Sequence, residues 1–166
     1  RQRAHADAVL GAIDATLLTL EASTPMNIDT LFEGHEQFRN GEYAQEAERR
    51  WGETDAWKIS RQRTARYTKD DWAKIRAESD AITAQLLVSM QQGDAADGER
   101  AMALAELHRA HIDRWFYPCN HAMHVQVAAF YTADDRFRAH YDDRADGLAA
   151  YVQAAVNANA QAHAHD

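Results

Sequence analysis

Imidazole, thiol and aromatic side chains are concentrated in one stretch of the chain, residues 106–124, with the sequence ELHRAHIDRWFYPCNHAMH. It contains four of the nine histidines, the only cysteine, Cys119, and the consecutive rings of Trp115, Phe116 and Tyr117. Side chains of these types can bind a metal ion, supply a nucleophile or stack against an apolar ligand. This stretch is therefore the first candidate for a functional site.

Pro118 determines how these side chains are positioned. Proline cannot continue a helix and disfavours the α conformation in the residue before it, so the helix that carries His111 and Trp115 is predicted to end just before the proline. Asn120 is predicted to cap the next helix, which carries Met123. The pattern predicts a helix-corner-helix in which rings, imidazoles and a thiol form one wall of a pocket.

The histidines of this stretch also raise the hypothesis of a metal site. His108 and His111 are three residues apart, as are His121 and His124, and Cys119 lies between the two pairs. Three or four such ligands could close a tetrahedral zinc site. Nothing in the sequence places the ligand atoms of the two helices close enough to bind one ion with bonds of about 2 Å each, so we expect no metal and no cofactor. These imidazoles are instead expected to make hydrogen bonds at the corner or to titrate at the surface.

The combination of Cys119 with neighbouring histidines is also compatible with a cysteine hydrolase. Such an enzyme needs an oxyanion hole and a third residue that orients the histidine, and neither a glycine-rich turn nor an obvious orienting residue is present. Paired carboxylates elsewhere sit at predicted helix starts, where capping explains them better. We therefore expect no enzymatic activity and no catalytic residues.

Composition limits the classes of protein that this chain can represent. Its 166 residues, 46% of them hydrophobic, suggest one globular domain with a real core. A formal net charge of −8 argues against this polypeptide binding nucleic acid or an anionic membrane by itself. One cysteine excludes an internal disulfide framework, and no apolar run approaches the length of a membrane span. These features favour a cytoplasmic protein without a membrane partner.

The first predicted element is a helix with a narrow apolar stripe. Its apolar residues alternate at steps of four and three, which is heptad spacing. They are Ala6, Leu10, Ile13, Leu17 and Leu20. The helix either packs on its own domain or forms half of a coiled coil that makes a homodimer. Because the chain opens in mid-pattern without methionine, we expect it to be a fragment that lacks an N-terminal part.

A break at residues 23–27 is the predicted linker, and short helical pieces follow it up to residue 54. The large apolar side chains of this region are Phe32, Phe38, Tyr43 and Trp51. Short helices have little stability of their own, so this region is expected to lean on the rest of the fold or on a bound ligand. The alternative is that these rings only complete the edge of a core.

Helices account for the remainder of the chain, because no segment shows sustained alternation of apolar and polar residues. Thr54 is predicted to cap a helix over residues 55–66, and Thr68 with Asp71 a long one over residues 69–92 that ends at Gly93. A helix from Asn120 to about residue 131, a short one capped by Thr132 with Asp135, and one over residues 147–161 complete the all-α fold. His163 and His165, in the tail, are expected to be in solvent.

Several segments together resemble the TipAS domain, the ligand-binding domain of thiostrepton-induced TipA regulators. The strongest is HRAHIDRWFYPCNHAMH at residues 108–124. The others are LFEG at 31–34, RRWGETDAW at 49–57, RTARYTKDDW at 63–72, and GLAAYVQAAVNANA at 147–160. They follow the family's order and extend the resemblance over residues 26–162.

The resemblance implies a globin-like arrangement of helices without haem, preceded over residues 1–23 by the end of a dimerisation helix. TipA-type regulators belong to the MerR class, so promoter DNA would be bound only by a missing N-terminal domain. The implied ligands are thiopeptides, large macrocycles with dehydroamino-acid tails that can accept a thiol. In thiopeptide-binding members the nucleophilic cysteine lies seven residues after the one that matches Cys119, and Gln126 occupies that position here.

The function expected from these observations is drug sensing by a transcriptional activator. Rings of the ring-rich N-terminal segment would close onto the corner when a bulky apolar antibiotic binds. The predicted ligand-binding residues are Phe32, Phe38, Tyr43, Trp51, His111, Trp115, Cys119, Asn120 and Met123. The alternatives are a stand-alone resistance protein that sequesters another antibiotic, and a helical interaction module that binds no small ligand.

Overall fold

The computed structural model describes residues 48–165, and this part of the chain contains helices and no strand. The helices are α1 (Asp55–Thr64), α2 (Lys69–Gln91), α3 (Glu99–Trp115), α4 (His121–Ala133), α5 (Asp135–Asp142) and α6 (Leu148–Ala162). The all-α prediction is therefore confirmed. None of these helices combines the length and the apolar character needed to cross a membrane.

Several sequence predictions lie outside the described residues. These are the heptad helix with the homodimer that it would form, the linker and the domain boundary that follow it, and three of the predicted ligand-binding rings, Phe32, Phe38 and Tyr43.

The chain divides into two compact units. In the described residues, the first comprises residues 48–79 and 112–118, which include α1, the first half of α2 and the end of α3. Its core is built mainly from large rings and an aliphatic residue on α2. They are Trp57, Trp72, Ile75, Phe116 and Tyr117, all buried.

The second unit comprises residues 80–111 and 119–165. Within it α4 packs against both α5 and α6, and α5 packs against α6. The buried side chains include aromatic residues from α4 and α5 and small or branched residues from α6. They include Tyr131, Phe137, Tyr141, Val152, Ala155 and Val156. This packing positions the polar residues of α3, α4 and α6 that are described below.

The predicted N-caps of three helices are confirmed. The Thr54 hydroxyl accepts from the backbone N–H of Trp57 at the start of α1. At the start of α2 the N–H of Thr68 donates to the Asp71 carboxylate, and the N–H of Asp71 donates to the Thr68 hydroxyl. The Asn120 side chain accepts from the N–H of Met123 at the start of α4. Each of these bonds satisfies a donor that the first turn of a helix leaves without an intrahelical partner.

A glycine ends α2, as predicted. Gly93 has a φ of 81°, a left-handed conformation that glycine adopts without a side-chain clash. Its N–H donates to the carbonyl of Met90, and the N–H of Asp94 donates to that of Ser89. This pair of bonds is a Schellman motif, which satisfies carbonyls at the end of a helix. The loop that follows leads into α3.

The start of the short helix α5 differs from the prediction. Thr132 was expected to cap it, but α4 continues to Ala133 and Asp134 is the cap. The Asp134 carboxylate accepts from the N–H of Arg136, two residues on, while the Thr132 hydroxyl donates to Gln153 on α6. The Thr132 hydroxyl is therefore engaged in a contact between α4 and α6. The Asp134 carboxylate caps α5 instead.

Candidate functional site

Trp115, the last residue of α3, is a half-buried ring held in one orientation within the first unit. Its indole Nε1–H donates to Glu78 Oε2 at 2.7 Å. The Tyr67 ring meets it edge to face, with centroids 5.6 Å apart, and the Tyr67 hydroxyl donates to the Trp115 carbonyl. Tyr67 also packs edge to face on Trp72 at 5.6 Å. The ring of Trp115 is thus fixed by contacts on its own unit while part of its surface stays exposed.

Two cations lie near the face of the same ring. Lys74 Nζ is 5.7 Å and Arg114 Cζ 6.0 Å from the ring centroid, within the range of cation–π attraction. Arg114 also pairs with Glu78 at 3.6 Å, although its side chain is largely exposed. Long cationic side chains can move aside from a ring and return their charge to water. This arrangement gives a pre-oriented aromatic surface on which an apolar or heteroaromatic group could stack.

Trp51 is the other predicted ring that the structure describes. It lies in a helical turn before α1, is half-buried, and has the Arg50 guanidinium 5.7 Å from its ring centroid. The Thr54 hydroxyl donates to its carbonyl at 2.6 Å. The turn that carries Trp51 is therefore fixed to the start of α1.

The other four predicted residues belong to the second unit. His111 and Cys119 are buried, Met123 is half-buried, and Asn120 is exposed, with its side-chain oxygen occupied as the cap of α4. The Cys119 carbonyl accepts from Arg109 Nη1 at 2.6 Å, which holds the corner backbone in place. Only 1% of Cys119 is exposed, so its sulfur is not presented to solvent as a nucleophile.

A buried pair of histidines lies at the centre of the second unit and was not predicted as a pair. His108 Nδ1 and His124 Nε2 are 2.8 Å apart, with Tyr131 edge to face against His108. Both imidazoles are buried, and one must donate while the other accepts. Burial lowers the pKa of His124 well below its ordinary value, and the charges of His108 and Arg109 lower it further. The His124 imidazole is therefore neutral at pH 7 and takes part in a hydrogen bond inside the core.

Glu106 on α3 is the centre of a second polar cluster. Its Oε1 accepts from Arg109 at 2.6 and 2.8 Å, and its Oε2 lies within 2.8 Å of both Asn159 Nδ2 and His121 Nε2. Partial burial would raise the pKa of Glu106, but the hydrogen bonds from Arg109, Asn159 and His121 outweigh it and lower the pKa to about 2. The carboxylate is therefore charged at neutral pH and joins α3, α4 and α6.

The tail histidine His163 is not in free solvent, contrary to the prediction. It is half-buried, and its ring stacks on that of His121 with centroids 4.3 Å apart and planes 8° from parallel. Helix α6 carries it there because Asn159, one turn earlier, is fixed to Glu106. His165 is exposed, as expected. Sequence spacing held no signal for this contact, since it joins residues on different helices.

The sequence profile of the TipAS antibiotic-recognition domain matches residues 43–159. The HTH-type transcriptional activator TipA of Streptomyces coelicolor is 42% identical over 132 residues, which cover 80% of this chain and 52% of TipA. The HTH-type transcriptional activator mta of Bacillus subtilis is 29% identical over 164 residues, 94% of this chain and 61% of mta. The chain thus spans about half the length of its TipA relative.

Two solved structures are similar to this one. TipAS of Streptomyces lividans in complex with nosiheptide, from a thiopeptide antibiotic multidrug resistance system, matches with a TM-score of 0.73 and 39% identity, over 84% of this chain and 96% of that one. The antibiotic binding domain of a TipA-class multidrug resistance transcriptional regulator matches with a TM-score of 0.52 and 40% identity, over 55% and 98%. On these matches in sequence and structure, the chain belongs to the TipAS antibiotic-recognition domain family.

Proposed function

We propose that this chain is the drug-sensing part of a transcription regulator and binds a bulky, largely apolar antibiotic of the thiopeptide class without forming a covalent bond. The observation that carries the proposal is the similarity to TipAS in complex with nosiheptide, at 39% identity over 96% of that chain. That coverage includes nearly all of a chain that was solved in complex with a thiopeptide. The properties of particular side chains refine the proposal.

Trp115 is the residue that we assign to stacking against the antibiotic. Its hydrogen bond to Glu78 and its contact with Tyr67 fix the ring before a ligand arrives. Fixing the ring in advance lowers the entropy cost of binding, and tryptophans of this kind contribute more than their share of the affinity of an interface. Trp51, also half-buried, is proposed as a second stacking ring.

Apolar burial alone would give weak binding. A ligand that loses about 400 Å² of apolar surface gains roughly 10 kcal/mol at about 25 cal/mol per Å². Association costs of at least about 4 kcal/mol leave roughly 6 kcal/mol, which corresponds to tens of micromolar. Tighter binding therefore requires a larger buried area or polar contacts, and we propose the corner residues His111, Asn120 and Met123 as further contacts.

The non-covalent character of binding is proposed from two positions. Cys119 is buried, which supports a packing role for its side chain. Gln126 is exposed on α4 and carries an amide, which cannot attack a dehydroamino acid. A thiopeptide would therefore be held by stacking, burial and hydrogen bonds.

At the level of the whole protein, we propose a homodimeric MerR-class activator in which antibiotic binding acts on promoter DNA through a part outside this chain. The support is that TipA and mta are both HTH-type transcriptional activators and that the chain spans about half of the former. The heptad residues Ala6 to Leu20 are proposed as the dimer contact, and Phe32, Phe38 and Tyr43 as rings that close over the antibiotic.

Fluorescence titration tests the proposed site. Trp51 and Trp115 are half-buried and are the rings that we propose to contact the ligand, so thiostrepton should quench the emission of the wild-type chain in a saturable way. Trp115→Ala should weaken binding by at least about 30-fold, the effect of losing a central aromatic contact. Leu107→Ala removes an exposed apolar side chain from the same helix and should leave affinity unchanged. Equal affinity of the Trp115 and Leu107 variants would remove Trp115 from the site.

A further inference from the structure

Glu106, His121 and His163 bring three metal-ligating side chains together in the second unit. They come from α3, from the first residue of α4 and from the residue after α6, and each is half-buried. One carboxylate oxygen and one nitrogen from each imidazole lie within 4.8 Å of one another. This set differs from the histidine and cysteine set that the sequence suggested. Two imidazoles and a carboxylate are ligands that Zn²⁺ takes in sites with an open fourth position.

Neighbouring groups orient Glu106 and His163. The His121 ring is stacked on His163 with the ring planes 8° from parallel, so one of the two rings must turn before both nitrogens can direct their in-plane lone pairs at one ion. Arg109 holds Oε1 of Glu106 at 2.6 Å, which turns Oε2 toward His121 Nε2 at 2.8 Å. His163 Nδ1 lies 2.8 Å from the Asn159 carbonyl. A carbonyl can only accept, so Nδ1 carries a proton, and in the neutral ring Nε2 is the nitrogen with a free lone pair. Hydrogen bonds of this kind from the second ring nitrogen are typical of histidines that bind metals.

We propose that this cluster binds a divalent transition-metal ion of the Zn²⁺ type through Glu106 Oε2, His121 Nε2 and His163 Nε2. Water would complete the coordination. The proton that His121 Nε2 shares with Glu106 is replaced by the ion. If His121 is an imidazolium, this proton leaves to solvent. If the ring is neutral, the Nε2 proton is lost to solvent and Nδ1 takes up a proton in exchange, so that Nε2 is free to bind the ion. The proposal does not depend on antibiotic binding.

Charge near the cluster sets the expected strength of binding. Arg109 neutralises much of the Glu106 carboxylate, which weakens its attraction for a cation. The chain as a whole carries a formal net charge of −8, which attracts cations. We therefore expect a reversible site that is weaker than a closed structural zinc site. Its affinity should fall as the pH is lowered, because imidazoles bind metal only when deprotonated.

Calorimetric titration with Zn²⁺ tests the proposal on the full chain. One saturable equivalent should bind to the wild-type protein. His163→Ala and His121→Ala should each weaken binding at least about tenfold. His165→Ala removes an exposed histidine two residues from His163 and should change the affinity less than about twofold. In titrations with Co²⁺, the visible absorption bands of the bound ion should be weakened in His163→Ala and His121→Ala and retained in His165→Ala.

Two results would overturn the metal site. One is the absence of saturable Zn²⁺ binding; the other is binding that His163→Ala leaves unchanged, which would place the ion on other histidines of the chain. Far-UV circular dichroism verifies that each variant is folded. If His163→Ala does not fold, His163→Gln keeps a polar side chain at the end of α6 and replaces it, with the same expected loss.

Discussion

The indole nitrogen of Trp115 donates a hydrogen bond to Oε2 of Glu78 at 2.7 Å, joining the end of α3 to α2 within the first unit. The acceptor is a carboxylate, and hydrogen bonds to charged groups contribute more than neutral ones. Glu78 thereby fixes the ring that we propose as the main stacking surface for the antibiotic.

Replacing Glu78 by alanine should therefore weaken antibiotic binding by about tenfold, because the ring loses its fixed orientation. The free energy of unfolding should fall by about 1.5 kcal/mol, the lower end of the range for a hydrogen bond to a charged group, because the site is only partly buried. Glu78→Gln keeps an acceptor oxygen and should remain within about threefold of wild type. Its lost ion pair with Arg114 matters little, since that arginine is largely exposed. Fluorescence titration and urea denaturation measure both quantities, and equal affinities of the two variants would contradict the orienting role.

Asn120 allows the capping role to be separated from the proposed ligand contact. Asn120→Ala removes the acceptor for the Met123 N–H and should lower the free energy of unfolding by about 1 kcal/mol. Asn120→Asp keeps the cap and adds a negative charge at the helix start, so stability should be retained or raised. If Asn120 also contacts the antibiotic, both variants should bind less tightly. If only the alanine variant loses affinity, and the loss matches its lower free energy of unfolding, the residue acts in capping only.

The rules that predicted these caps act over two to four residues, which is why they could be applied to the sequence. Thr54, Thr68 with Asp71, and Asn120 all cap as predicted, and Pro118 and Gly93 follow the ends of their helices. The error at Thr132 arose where two capping residues compete: packing against Gln153 occupies the threonine, and no local rule includes that contact.

Contacts between residues on different helices could not be predicted from the sequence. The His108–His124 bond depends on how the turns of α3 and α4 in the second unit face each other. The stacking of His163 on His121 depends on α6 being fixed to Glu106 through Asn159. Spacing along one chain carries no information on these distances. The family resemblance supplied the ligand class, which neither periodicity nor composition contains.

The buried histidine pair predicts that stability depends on pH. The pKa of His124 is lowered in the folded state, so the unfolded chain binds more protons below the ordinary pKa of about 6.5. Stability should be complete above that pH and fall as the pH is lowered from 6.5 toward the folded-state pKa, by up to about 1.4 kcal/mol per pH unit. Denaturation curves at several pH values measure this slope.

The charged groups that act on His124, besides His108, are Arg109, Glu106 and His121. His124→Gln removes the titrating group while keeping a polar nitrogen in place of Nε2, so its stability should vary less between pH 6.5 and 5. His165→Gln is the matched control in the exposed tail and should retain the wild-type slope. An unchanged slope in His124→Gln would show that another group causes the dependence.

Covalent capture should be introduced by a single substitution on α4. Gln126 is exposed, and the family resemblance implies that a nucleophilic cysteine would lie at this position, so we propose that Gln126→Cys forms an adduct with thiostrepton by addition of its thiolate to a dehydroamino acid. Ala129→Cys places an exposed thiol three residues further on the same helix and should react more slowly by at least about tenfold. Intact mass under denaturing conditions detects the adduct, and equal rates for both variants would mean that the antibiotic is not held near position 126.

The central claim is non-covalent recognition of a thiopeptide by this chain, and an intact-mass measurement on the wild-type protein tests it most directly. The protein is incubated with thiostrepton and recorded under native and under denaturing conditions. We expect a one-to-one complex in the native spectrum and the unmodified protein after denaturation. An adduct that survives denaturation would contradict the non-covalent mode and assign a nucleophilic role to Cys119. No complex under native conditions, at antibiotic concentrations above the tens of micromolar expected from apolar burial alone, would contradict thiopeptide recognition itself.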